Sequence, residues 1–103
     1  MIYQTISQLK KAGQHLSNQL IRSGSSAALN YGEAQSAESR KDFIHKIKIV
    51  LKELRETNVC LKIIKRAKLY KTIDKIEIAL KENNKLISIF VTSVETAQKN
   101  LNS

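Results

Sequence analysis

The chain has 103 residues, with 18 Lys or Arg against 9 Asp or Glu, a formal net charge of +9. It holds no proline, three glycines and one cysteine, and 42% of it is hydrophobic. Those figures exclude collagen-like, Pro-rich, disordered and disulfide-framework classes, and leave one small basic domain over residues 1–103 whose first expected partner is something acidic, such as nucleic acid.

In chain order, Ile2, Ile6 and Leu9 mark a short helical face before Gly13. The segment Ala12 to Ala34 is expected to be helical in its first half. It crosses the small residues Ser23 to Ala28, where close backbone approach is possible and Gly24 offers a place to bend. The breaker signals from Ser23 to Gly32 are the strongest in the chain. A third helix opens at Glu38 and Ser39, with Ser39 and Asp42 forming a capping-box-like start in which Asp replaces the usual Glu or Gln. Its core seam reads Phe43, Ile47, Val50, Leu51, Leu54, Asn58 and Leu61. It ends near Ala67, where Lys65, Arg66 and Lys68 suit the negative end of the helix dipole.

The last helix carries the clearest pattern. Leu69, Ile73, Ile76, Leu80, Asn83, Ile87, Phe90, Val94, Ala97 and Leu101 alternate steps of four and three, a heptad-like seam. Asn83 is its one polar member and reads as a register or water-binding residue before a ligand group. Three long helices, one short one and brief connections predict a mainly α fold, an antiparallel up-and-down four-helix bundle with a shortened first helix.

The stretch Gln19 to Lys68 carries a family resemblance. The pieces Leu20-Ile21-Arg22-Ser23-Gly24, Asn30-Tyr31-Gly32-Glu33-Ala34 and Ser39-Arg40-Lys41-Asp42-Phe43-Ile44 are jointly specific. Together they resemble the bacterial four-helix-bundle family encoded by intervening sequences in 23S rRNA genes. The resemblance implies an up-down-up-down bundle assembled into a ring, typically a homopentamer, with no established enzymatic activity. A related branch, the accessory protein of diversity-generating retroelements, is a basic pentameric barrel that binds nucleic acid and reverse transcriptase. Relatives begin with a longer first helix before the position of Gly13. They often carry an aromatic near Cys60 and a proline or glycine near Ala27 to Leu29, and this sequence departs from both habits.

Charge is unevenly placed on the third helix. At 100° per residue, Lys41, Lys48, Lys52, Arg55, Lys62 and Arg66 fall within about 80° of arc. No acidic residue shares that arc; Glu38, Asp42, Glu53 and Glu56 lie on another flank. Like-charge neighbours such as Lys48 with Lys52 each cost a few tenths of a kcal/mol. Three readings stay open: a track for a polyanion, contacted at its phosphates; a solvated face in a Lys-rich sequence, since 14 of the 18 cations are Lys; or pairing with the acidic flank of a neighbouring subunit.

Ile49 and Ile63 lie roughly opposite the seam of their helix, as Ile78 and Ile89 do on the last. A second apolar face on two helices suggests an oligomer interface. The alternative to nucleic-acid binding is therefore a structural or scaffold protein whose outer faces mediate self-assembly or hold a protein partner. Aromatics are few: Tyr3, Tyr31, Phe43, Tyr70 and Phe90. Base stacking is not expected, and any nucleic-acid binding is charge-driven and salt-dependent.

His15 and His45 read as surface residues, and Cys60 as a buried free thiol. Glu33 reads as a structural partner of Arg22, with ligand contact as the alternative. No phosphate loop, carboxylate pair, metal-ligand spacing or nucleophile elbow is present. The expectation is a non-enzymatic protein without metal or cofactor. Its longest apolar stretch, Leu86 to Val94, is too short to span a bilayer, and the chain reads as cytoplasmic.

Overall fold

The computed structural model describes the backbone of residues 2–67 and 73–102, and the side-chain surroundings of residues 11, 13–67 and 74–101. Among the described residues there are three helices: α1, Ile2–Gln35; α2, Arg40–Ala67; and α3, Ile73–Asn102. The mainly α expectation holds, and the expected four-helix bundle does not. The separate N-terminal helix and the helix from Ala12 are one continuous element of 34 residues. The reason is phase. Ile2, Ile6 and Leu9 run on through Gly13, Leu16, Leu20, Ser23 and Ala27 in unbroken steps of four and three. An interior glycine costs a helix about 1 kcal/mol relative to alanine, too little to break a seam in register. Gly13 is buried within it. The helix also continues through Gly24, which faces solvent.

The link between α1 and α2 is four residues long. Ser36 and Ala37 donate back to the carbonyls of Glu33 and Ala34 and close the end of α1. The Ser39 hydroxyl accepts from the Asp42 amide at 3.0 Å, so the cap expected there forms. Asp42 lies in the first turn of α2 and Lys65 and Arg66 in its last, the arrangement the helix dipole favours. The connection from α2 to α3 falls at residues 68–72. Leu69 and Tyr70 therefore lie outside the described residues, as do the side chains of Ile2, Tyr3, Ile6, Leu9 and Ile73.

Residue numbers that meet run in opposite directions. Arg22 reaches Glu56 while Glu33 reaches Lys46, so α1 and α2 are antiparallel. Arg40 donates to the Asn100 carbonyl while Lys65 reaches Glu77, so α2 and α3 are antiparallel too. Helix α2 packs against both neighbours. Among the described residues no Cα of α1 comes within 8 Å of one on α3. Only side chains bridge that gap, as where Tyr31 meets Phe90 edge-on with ring centroids 5.5 Å apart.

The core follows α2. Ile47, only 1% exposed, joins Ala34, Ile44, Leu51, Val94 and Ala97. Val50 and Leu54 meet Ala27, and Leu61 and Ile64 meet Ile76 with Leu16 and Leu20 against them. The predicted α2 seam is thus largely buried, with Phe43 and Asn58 half-buried and Ile44 and Ile64 added. On α3, Ile76, Asn83, Val94 and Ala97 are buried, Leu80, Ile87 and Phe90 are half-buried, and Leu101 is exposed.

Asn83 is 5% exposed and donates from Nδ2 to the Leu54 carbonyl at 2.9 Å. One turn along, Asn58 donates to Asn84 at 2.6 Å. This amide layer fixes the register of α2 against α3, as a polar residue in a coiled-coil seam does. The radius of gyration is 17.0 Å, against about 13 Å for a compact chain of this length, and the principal extents are 63 × 21 × 16 Å.

Candidate nucleic-acid interface

Helix α2 turns its apolar side to α1 and α3 and keeps one outward ridge. All six predicted track residues, Lys41, Lys48, Lys52, Arg55, Lys62 and Arg66, are exposed on it. From Lys41 to Arg66 the ridge is about 38 Å long at 1.5 Å per residue. Lys48, Lys52 and Arg55 stand together at its middle. Lys48 and Arg55 border the groove toward α3, with Val91 and Val94 on the other side. Lys52 and Arg55 border the groove toward α1, where Arg22, Glu56, Val59 and Cys60 also lie.

Two acids of α2, Glu53 and Glu56, are engaged by α1, and Glu56 also borders the groove beside Lys52 and Arg55. Arg22 of α1 holds Glu56 at 2.6 Å and Glu53 at 3.5 Å. Glu53 is buried, 8% exposed, and this guanidinium is its partner across the helix interface. The hydrogen bond from Arg22 lowers the Glu56 pKa below the ordinary carboxylate value, and the same bond raises that of Arg22. Lys46 holds Glu33 at 2.6 Å, and that hydrogen bond raises the Lys46 pKa. Lys65 meets Glu77 at 3.1 Å. Among the described residues, no carboxylate stands within 4.0 Å of any of the six ridge cations.

One sequence expectation is corrected here. Glu33 does not pair with Arg22; it reaches Lys46 instead. Arg22 lies eleven residues nearer the N-terminus of α1, level with Glu53 and Glu56, because the helices run antiparallel. Cys60 is half-buried rather than fully buried, at the edge of the α1–α2 groove. His15 and His45 are exposed as expected.

Sequence reasoning missed Arg22 as the residue that neutralises the acidic flank. Nothing local signals a bond spanning 31 and 34 residues. It also missed Glu95, which lines the α3 side of the groove opposite Lys48 and Arg55, and Val59, an exposed apolar residue amid the track. Of the four isoleucines on the expected oligomer face, Ile63, Ile78 and Ile89 are exposed and Ile49 is half-buried. Ile49 and Ile63 flank the basic ridge. Ile78 and Ile89 lie on the side of α3 turned from its buried seam, so the two pairs belong to different surfaces.

Among the described residues, no group of three or more His, Cys, Asp or Glu side chains could hold a metal ion. No described helix is long and apolar enough to cross a membrane.

Comparison with known proteins gives a consistent relationship. No curated protein matches this chain. A crystal structure of a protein of unknown function from the S23 ribosomal protein family of Bacteroides thetaiotaomicron VPI-5482 is similar, with a TM-score of 0.72 and 31% identity, over 78% of this chain and 70% of that one. The family model described as 23S rRNA-intervening sequence protein matches residues 1–95. With nearly the whole length matched, the chain belongs to the 23S rRNA-intervening sequence protein family.

Proposed function

We propose that this protein is a non-enzymatic nucleic-acid-binding protein that holds RNA or DNA by its phosphates along the outward ridge of α2. One observation carries the reading. Six exposed cations share a ridge about 38 Å long, and the helix's own carboxylates Glu53 and Glu56 are engaged by Arg22 of α1. A helix that needed only solubility could interleave Glu among these cations and relieve their mutual repulsion. Leaving them unmatched has a thermodynamic use when a polyanion arrives, because each neutralised phosphate releases a condensed counterion.

The chemistry is non-specific. Four of the six cations are lysines, which act as point charges, and no aromatic side chain lies on the ridge to stack a base. The binding is therefore expected to depend on charge and shape, with little response to sequence.

The test is binding of nuclease-treated protein to a labelled generic duplex and a labelled single strand at about 50 mM salt, where phosphate contacts are strongest. Wild type binds and the variant K48E/K52E/R55E does not, while circular dichroism of the variant stays helical. No binding by wild type at that salt, or undiminished binding by the folded variant, overturns the proposal.

A further inference from the structure

The groove between α1 and α2 has an apolar lining and a cationic rim. Leu16 of α1, with Val59 and Cys60 of α2, supplies the apolar part. Leu16 and Cys60 are half-buried, while Val59, at 57%, is the most exposed large apolar side chain of α2. The groove holds about 610 Å³, within the roughly 300–1,000 Å³ typical of small-molecule sites. Three cations line it, Arg22, Lys52 and Arg55, against one carboxylate, Glu56.

Those charges are not equivalent. Arg22 is committed: its Nε donates to Gln19 at 3.1 Å, and its two terminal nitrogens reach Glu53 at 3.5 Å and Glu56 at 2.6 Å. The Glu56 carboxylate is thereby engaged as well. Lys52 and Arg55 have no carboxylate within 4.0 Å among the described residues. They stand beside solvated apolar surface with their charge unmatched. The larger groove, where the α1–α2 link meets the end of α3, lacks this combination. Its cation Arg40 donates to the Asn100 carbonyl, and Glu38 lines the same space.

We infer that the α1–α2 groove is a binding site for a small amphipathic carboxylate, one acid head on an apolar body. The head meets Lys52 and Arg55, and the guanidinium of Arg55 presents the fork of N–H donors that a carboxylate fits. The body covers Leu16, Val59 and Cys60, and the aliphatic stems of the two cations extend that apolar surface. Charge and apolarity select the occupant together. A second copy of the chain brings a charge of +9 toward two unmatched cations and is repelled. A nucleic-acid backbone answers the cations but offers Val59 no apolar partner. A neutral apolar molecule leaves the cations as they were. Occupancy of the groove does not depend on whether the α2 ridge holds nucleic acid.

The test uses octanoate as the probe, on the nuclease-treated full chain with no nucleic acid present. Binding is followed by calorimetry. The rate at which neutral N-ethylmaleimide alkylates Cys60, the one cysteine of the chain, then locates it. Octanoate is expected to bind and to slow the alkylation as it saturates the groove. Each CH2 withdrawn from water is worth up to about fourfold in affinity, so hexanoate is expected to bind several-fold more weakly. Acetate and inorganic phosphate, which lack the apolar body, are expected to give no protection. K52Q/R55Q and V59E are each expected to weaken octanoate several-fold while circular dichroism stays helical, since all three side chains are exposed. Several results overturn the inference: no octanoate binding in the millimolar range, acetate binding as well as octanoate, or undiminished binding by either folded variant. So does Cys60 alkylation that octanoate leaves unchanged, or a Cys60 that the reagent cannot reach in the free protein.

Discussion

Replacing Lys48, Lys52 and Arg55 with alanine, rather than with glutamate, turns the basic ridge into a counting experiment. The three stand at the middle of the ridge, are exposed, and have no carboxylate within 4.0 Å among the described residues. Their removal therefore leaves no orphaned acid. If all six ridge cations meet duplex phosphates, log K falls with log salt at a slope of about −5.4, and affinity drops about 1,800-fold between about 50 and 200 mM. With three cations left, the slope is about −2.7 and the same salt change costs only about 40-fold. A single strand gives shallower values, about −4.2 for six contacts. The assay is fluorescence anisotropy of a labelled duplex over a salt series. Lys65→Ala is the control. That lysine is on the same helix, but Glu77 already neutralises it at 3.1 Å, so its loss should scarcely move the slope. An unchanged slope in the triple variant, or an equal fall in the Lys65 variant, would show that binding counts total charge and not the ridge.

Four further outcomes are expected from the fold. Ile47→Ala empties a site buried among Ala34, Ile44, Leu51, Val94 and Ala97, and urea denaturation should show a loss of about 2–5 kcal/mol; a loss under about 1 kcal/mol would mean the cluster collapses onto the space. Ser39→Ala removes the acceptor for the Asp42 amide and should cost about 1 kcal/mol in the same assay, with Ser39→Asp restoring most of it. Arg22→Ala leaves the buried Glu53 unpaired, so it should destabilise more than Lys46→Ala, whose partner Glu33 is exposed, and adding Glu53→Gln should recover part of the loss. The lowered pKa of Glu56 fixes a pH dependence: its pair with Arg22 stabilises the fold fully above the unfolded-state carboxylate pKa of about 4.3, and the contribution is lost as pH falls through the depressed folded value. A denaturation midpoint that shifts through this pair between neutral pH and about pH 5 would contradict that sign.

The parts of the molecule legible in the sequence are those set within one helix. The bounds of α2 follow from Ser39, Asp42 and the basic end near Ala67, because capping and dipole effects act over a single turn. The ridge follows from angular spacing alone, and all six of its residues are exposed. The register role expected of Asn83 is met by its bond to Leu54. The division of α1 into two helices failed for an equally local reason. Gly13 and the Ser-Gly-Ser-Ser run are local irregularities, while the seam from Ile2 to Ala34 keeps its phase across both. Cooperative propagation along a helix outweighs a penalty of about 1 kcal/mol when the apolar register is uninterrupted.

What no single helix could reveal is the traffic between helices, and that traffic gives the ridge its character. Nine acids and eighteen cations fix the net charge at +9, but not where the excess lies. Antiparallel packing decides it. Arg22 reaches across 31 and 34 residues to Glu53 and Glu56, and Lys46 reaches back to Glu33. These bonds cancel charge along the α1–α2 seam and clear it from the outer side of α1. The same accounting shapes both surfaces: a ridge on α2 whose six cations have no carboxylate within 4.0 Å among the described residues, and an outer side of α1 with little charge. Moving Arg22 back by one residue would turn it some 100° around α1, to the exposed position of Ile21, and release Glu56 beside the groove that Lys52 and Arg55 border, whereas moving it on by one would place it at the buried position of Ser23. The position of that one arginine therefore sets how far the carboxylates of α2 can offset the cations beside them.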